Sequence, residues 1–224
     1  MGETIILKAN DGHELDAYVA RPPGKPIAGL VVIQEIFGIN QHIRSIADEY
    51  AKDGVIAVAP ALFDRVEKGV DLTYEGQDAQ KGMGLLQKTD LSKALADVDA
   101  ALVYARKEAG GKAGVIGYCF GGLLAWLSAT RLHPDAAVGY YAGRIGSFAS
   151  ETPQVPVQLH FGKLDTHISA EQVEAVHTAN PEVEIHLYEN AGHGFNCDLR
   201  ASYNSQAAAL ARSRALAFLK EHMS

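Results

Sequence analysis

Val115-Ile116-Gly117-Tyr118-Cys119-Phe120-Gly121-Gly122 joins an apolar run to a Gly-x-Cys-x-Gly pentapeptide, and Leu123, Leu124, Trp126 and Leu127 follow at helix-like spacing. A strand that turns sharply into a helix needs glycine two positions either side of its apex, because a Cβ has no room there. Such a turn lifts the apex side chain, here a thiol, clear of the sheet. It also sets that side chain before a helix N-terminus, where positive potential and free amides favour a thiolate. The same pentapeptide fits an inert thiol at a strand-to-helix turn, since free cysteine is among the most buried residue types. The choice between nucleophile and filler therefore depends on whether the chain supplies a base, an acid and an oxyanion site in the right order.

Upstream of this stretch, Thr4–Ala9 and Leu15–Ala20 read as short strands joined by a turn at Asn10-Asp11-Gly12. Gly29–Gln34 is a continuous apolar run, as expected of a parallel strand covered on both faces. Asn40 can cap a helix carrying Ile43, Ile46, Ala47 and Tyr50 at helical spacing, with Gly54 to close it. Val55–Ala59 is the next core strand, so strand, helix and strand form a βαβ unit and the sheet centre is parallel. Residues 61–88 are the least regular part of the chain. Gly82 and Gly84 would each weaken a helix there by about 1 kcal/mol, and the segment reads as a lid-like excursion or a plain surface insertion.

Asp90 begins a strong helix bearing Leu91, Leu95, Val98 and Leu102, ended by Gly110-Gly111. After Val115–Tyr118 and a helix reaching about His133, strands are expected at Ala136–Tyr141, Val155–Phe161 and Val183–Glu189. Helices are expected at Ile168–Thr178 and from about Ser202 to Met223. A hairpin followed by alternating strands and helices gives one α/β-hydrolase domain over residues 1–224. Its mostly parallel sheet has about eight strands, with helices on both faces.

The 224 residues are 47% hydrophobic and 21% charged with net charge −7, so neither nucleic acid nor an anionic membrane is an expected partner. No leader-like or membrane-spanning stretch is visible, and two cysteines make no disulfide framework, which points to a cytoplasmic setting. The histidines show no metal-ligand spacing, and no metal is expected.

In open α/β sheets functional groups gather at the carboxyl ends of strands. After Val155–Phe161 comes Gly162-Lys163-Leu164-Asp165-Thr166-His167, and after Val183–Glu189 comes Asn190-Ala191-Gly192-His193-Gly194-Phe195. Cys119, Asp165 and His193 thus repeat the nucleophile–acid–base order of α/β-hydrolases. His193 would take the thiol proton and later activate water, and Asp165 would fix the imidazole tautomer. His160 and His186 lie within strands and suit packing, whereas His167 competes with His193 because it shares the Asp165 loop. Gln34-Glu35-Ile36-Phe37-Gly38 follows the third strand, on the loop that supplies a second oxyanion amide beside that of Phe120. A glutamate there ordinarily faces water, but near a thiol in a dry pocket Glu35 could hold or accept its proton.

Together with Gly139-Tyr140-Tyr141, these motifs resemble the dienelactone hydrolase family along nearly the whole chain. The resemblance implies a monomeric α/β-hydrolase without cofactor and a Cys119–His193–Asp165 triad. It implies a glutamate, Glu35, that engages the resting thiol and is released by substrate to take its proton. The implied reaction opens a carboxylated enol-lactone within aromatic degradation. Phe37, Tyr141, Lys81, Phe195 and Arg200 are the candidate substrate contacts.

The family holds the substrate carboxylate with one arginine shortly after the histidine and another in the excursion. Here Asn196-Cys197-Asp198 follows the histidine motif, and the excursion beyond Val66 offers Lys68, Lys81 and Lys88 instead. Lysine is a point charge rather than a bidentate fork, so an esterase of the same family with another substrate stays open. A redox-responsive binding protein using Cys119 and Cys197 is the alternative of another class. Ser128 and Ser147 lack an elbow, which disfavours a serine esterase.

Overall fold

The computed structural model describes residues 2–223. Its chain folds as two compact units, one up to Val115 and one over Ile116–Met223.

In the first unit β1 (Glu3–Lys8) and β2 (Glu14–Ala20) form an antiparallel hairpin, with Leu7 opposite Leu15. Gly12 turns the chain at φ 87°, as an Asp-Gly turn requires. β3 (Gly29–Ile33) and β4 (Ile56–Pro60) are buried at every position and pair in parallel. Between them runs α1 (Gln41–Lys52), whose N-cap Asn40 accepts the Ile43 N–H and whose Ile43, Ile46, Ala47 and Tyr50 are buried. α3 (Leu91–Ala109) is capped by Asp90, which takes the N–H groups of Ser92 and Lys93, and Gly110 ends it in the left-handed region.

Residues 61–88 hold more structure than their sequence suggests, because Asp78–Lys88 is an α-helix, α2. A Cβ on Gly82 would overlap the Ile36 carbonyl oxygen. The glycine is thus where α2 comes down onto the loop after β3, and close packing outweighs its poor helix propensity. The same segment ties that loop elsewhere. Leu72 N–H donates to Phe37 O at 2.9 Å, Asn40 Nδ2 to Leu72 O at 3.2 Å, and Gly38 bridges Asp71.

β5 (Ala113–Tyr118) leads into the second unit, where α4 (Phe120–Arg131) is buried along almost its whole length. A helix apolar on all sides belongs in a core. Its Trp126, 0% exposed, still satisfies its one donor by giving Nε1–H to Phe148 O at 3.1 Å. β6 (Ala137–Tyr140), β7 (Val157–Gly162) and β8 (Glu184–Tyr188) pair in parallel, with Tyr140, His160 and His186 in register. A 3-10 turn at Ile145–Phe148 was not foreseen, and α5 (Ala170–Ala179) and α6 (Ser205–Met223) complete the chain. The strand order is β1-β2-β4-β3-β5-β6-β7-β8 in one mostly parallel sheet. No helix among the described residues is long and apolar enough to cross a membrane.

Candidate active site

Cys119 stands between β5 and α4 at φ 54°, ψ −110°, a backbone conformation that costs a non-glycine residue about 1–3 kcal/mol. Three hydrogen bonds over-determine it. Its N–H donates to Tyr140 O at 3.0 Å, and its carbonyl accepts from Gly143 at 3.3 Å and from Leu123 at 3.2 Å. The elbow closes tightly, since a Cβ on Gly117 would overlap the Gly121 carbonyl. Glycine at 117 is therefore a steric requirement of the turn. Phe120 is the first residue of α4, so Cys119 lies at the positive end of the helix.

The side chains expected at the strand ends of this unit meet. His193 Nε2 is 3.2 Å from Cys119 Sγ, and His193 Nδ1 is 2.8 Å from Asp165 Oδ2. The Asp165 side chain is fully buried and that of His193 is 11% exposed. Burial opposes charge on His193, but the hydrogen bonds to Asp165 and Cys119 and their charges outweigh it and raise its pKa to about 10. Burial likewise works against an ionised Asp165. His193, with the backbone N–H groups of His167 and Ile168, overcomes that and lowers its pKa.

His167 loses the contest for Asp165. It offers only its backbone N–H to Oδ1, while its exposed imidazole lies edge-on to His193 at 4.9 Å. Tyr141, at φ 35°, places its ring 5.1 Å from His193 and 5.4 Å from Phe195. Tyr141 and Phe195 are both 0% exposed, so they pack behind the imidazole. Gly194, at φ 75°, lies beneath Arg200, whose Nη1 would be 2.5 Å from a Cβ there. Cys197 is buried, and neither it nor Cys119 is in a disulfide.

The remaining candidates belong to the first unit. Glu35 is 1% exposed and accepts the Tyr74 hydroxyl at 2.7 Å, and the Phe37 ring lies 4.4 Å from that of Tyr74. Ile36 is buried against Gly82. Lys81 is exposed and paired with Glu67 at 2.6 Å. Sequence reasoning missed Tyr74, for which no local signal exists. It also assigned His160 to packing, although polar residues two apart in a buried strand, Gln158 and His160, are a readable sign of an internal polar contact.

The hydrogen-bonded order sulfur, imidazole, carboxylate can move a proton from Sγ to Nε2 while the carboxylate holds the ring cationic. Comparison with known proteins agrees with a hydrolase. The model of the dienelactone hydrolase family matches residues 15–223. The chain is 35% identical to the carboxymethylenebutenolidase of Pseudomonas putida over 97% of its own length and 95% of the relative's. It is equally similar, over the same shares, to that of Pseudomonas knackmussii. A solved structure from Klebsiella pneumoniae, described as a candidate dienelactone hydrolase, superposes with TM-score 0.84 at 28% identity and covers 99% of each chain. A dienelactone hydrolase-like promiscuous phosphotriesterase from metagenomic libraries shares the fold, with TM-score 0.79 at 20% identity over 99% of this chain and 98% of that one. The chain belongs to the dienelactone hydrolase family, a family of α/β-hydrolase fold, and is a lactone or ester hydrolase.

Proposed function

We propose that this hydrolase works through the Cys119 thiol, with a carboxylated enol-lactone of the dienelactone type as substrate. The observation that carries the thiol chemistry is the continuous hydrogen-bonded line from Cys119 Sγ through His193 to Asp165 at an elbow of positive φ. In this reading His193 Nε2 holds the thiol proton, and Sγ attacks the acyl carbon as the thiolate. The oxyanion forms against the Phe120 N–H, with Ile36 as the second donor that the resemblance implies. Collapse breaks the acyl–oxygen bond, and His193 returns its proton to the leaving oxygen, which leaves a thioester. His193 then takes a proton from water, and the hydroxide releases the acid and restores the thiol. For an enol-lactone the leaving oxygen stays tethered and tautomerises to a ketone.

Asp165 holds the imidazole in one tautomer throughout. Glu35 enters, on the strength of the resemblance, as the group that engages the thiol at rest, and Glu35→Gln tests that role by its effect on thiol ionisation. The two Pseudomonas relatives support the enol-lactone, being named carboxymethylenebutenolidases.

The test is a panel of activated esters and carboxylated enol-lactones given to wild type, Cys119→Ala and Cys119→Ser. Enol-lactone turnover that disappears in Cys119→Ala is the expected result. Unchanged hydrolysis in that variant would remove the thiol from the mechanism. Preference for neutral esters would leave the thiol and replace the substrate.

A further inference from the structure

Behind Cys119 and His193 lies a second imidazole that the proposed chemistry does not use. His160 sits in β7 and is 0% exposed. Its ring stacks on Tyr140 at 4.5 Å and on His186 at 5.3 Å, both at 29°. Both nitrogens are engaged, Nδ1 at 2.8 Å from the Tyr188 hydroxyl and Nε2 at 2.9 Å from Gln158 Oε1. An amide oxygen can only accept, so Nε2 carries the hydrogen and Nδ1 accepts the hydroxyl proton. Arg214 fixes the direction of that proton. Its Nη1 is 3.4 Å from the Tyr188 hydroxyl oxygen and its guanidinium lies over the Tyr188 ring. The oxygen lone pair thus faces a cation and the hydrogen is left for His160.

A second proton on the ring would be a buried charge facing His186 and Arg214. Burial and these two neighbours hold the His160 pKa well below its ordinary value. Glu184, the remaining charge nearby, is paired with His186 at 2.6 Å. The ring is neutral and has one tautomer.

Three lines of contact run from this residue to the elbow and to the base, two from its ring and one from its main-chain carbonyl. The Tyr140 carbonyl accepts the Cys119 N–H, and the His160 carbonyl accepts the Tyr141 N–H at 2.8 Å. Tyr141 in turn lies against His193. On the other side the Tyr188 ring packs on Phe195 at 5.1 Å, two residues beyond His193. One buried imidazole therefore braces the strand end that holds the sulfur and the loop that holds the base.

We propose that His160 is a positioning residue, whose neutral Nε2–H form locks Tyr140 and Tyr188 and so sets Cys119 Sγ against the His193 ring. This rests on the proposed thiol chemistry, and reading it on the thiol itself lets the two fail separately.

The experiment follows iodoacetamide alkylation of Cys119 by peptide mass across a pH series, together with kcat and KM. It uses wild type, His160→Phe, which keeps a flat ring and loses both hydrogen bonds, and Tyr188→Phe, which removes only the hydroxyl. Expected for His160→Phe is a displaced alkylation profile and a kcat lowered by about 10²-fold, the cost of a misplaced reacting group, with KM little changed. Tyr188→Phe should displace the profile in the same direction by less. If both variants melt earlier yet keep the wild-type profile and kcat, His160 is a packing residue and the proposal is wrong. Should His160→Phe not fold, the Tyr188→Phe profile decides alone. A profile that moves in the variants while wild type hydrolyses no ester overturns the reaction and keeps the positioning role.

Discussion

Asp165 divides its carboxylate between two tasks: Oδ2 lies 2.8 Å from His193 Nδ1, while Oδ1 takes the backbone N–H groups of His167 and Ile168 at 2.8 and 3.3 Å. The backbone donors fix the carboxylate, and the fixed carboxylate determines which imidazole nitrogen keeps its hydrogen. Asparagine at 165 can still accept from the two amides with its oxygen, but it then turns an NH2 group towards Nδ1. That favours the tautomer in which Nε2 carries hydrogen and cannot accept the thiol proton. Asp165→Asn should therefore fold normally and lose about 10²- to 10⁴-fold in kcat, the scale on which other triads respond to this change. Ester kinetics with a melting curve on the same sample checks it. Near-wild-type kcat would remove Asp165 from the mechanism.

The His193 pKa, raised to about 10 from an ordinary 6.5, also makes a statement about stability. A group whose folded pKa lies above its unfolded value binds its proton more tightly in the native state. The stabilisation is full below the unfolded pKa and is lost as pH rises through the folded one. Urea midpoints should therefore fall between neutral pH and the region near pH 10. His193→Gln should show a smaller fall over the same window. Parallel loss in the two proteins would show that the imidazole carries no such linkage.

The elbow was legible because its chemistry is local. Gly117, Cys119 and Gly121 encode a turn whose geometry follows from the absence of two Cβ atoms, and Asp165 and His193 could be expected beside it because strand ends are where such loops fall. What was not legible depends on partners distant in sequence. Gly82 reads as a helix breaker until Ile36 is seen against it, and Tyr74 reads as a loop tyrosine until its hydroxyl is seen on Glu35. His160 was placed correctly in a buried strand. Its tautomer could be read only from Gln158, Tyr188 and Arg214 together.

The two glycines of α2 make a paired test of that point. Gly84 has nothing within 4 Å of the position its Cβ would take, whereas the Gly82 Cβ would strike the Ile36 carbonyl. Gly84→Ala should stabilise the protein by about 0.5–1 kcal/mol through helix propensity alone. Gly82→Ala should destabilise it by about 1–3 kcal/mol, as an overpacked site does. Chemical denaturation of both variants decides, and equal shifts in the same direction would deny the close approach of α2 to the loop after β3.

Arg65 offers a last test, on the energetics of a buried charge. Its Nε and Nη2 each lie 2.8 Å from an oxygen of Asp97, whose side chain is fully buried, and its Nη1 lies 2.7 Å from Asp11 in the hairpin turn. Burial pushes the Asp97 carboxyl up even with Arg65 present, the arginine opposing that rise. Removing the guanidinium leaves the desolvation cost without its compensation. Arg65→Ala should cost about 3–5 kcal/mol at neutral pH. The sign with pH follows from the raised carboxyl: protonated Asp97 is the form that tolerates burial, so the deficit of the variant should shrink as pH falls. Arg65→Met combined with Asp97→Leu, which removes both charges and keeps apolar volume, should recover most of the loss. If Arg65→Ala is nearly neutral, or if its deficit is the same at acid and neutral pH, Asp97 does not depend on Arg65 for its charge.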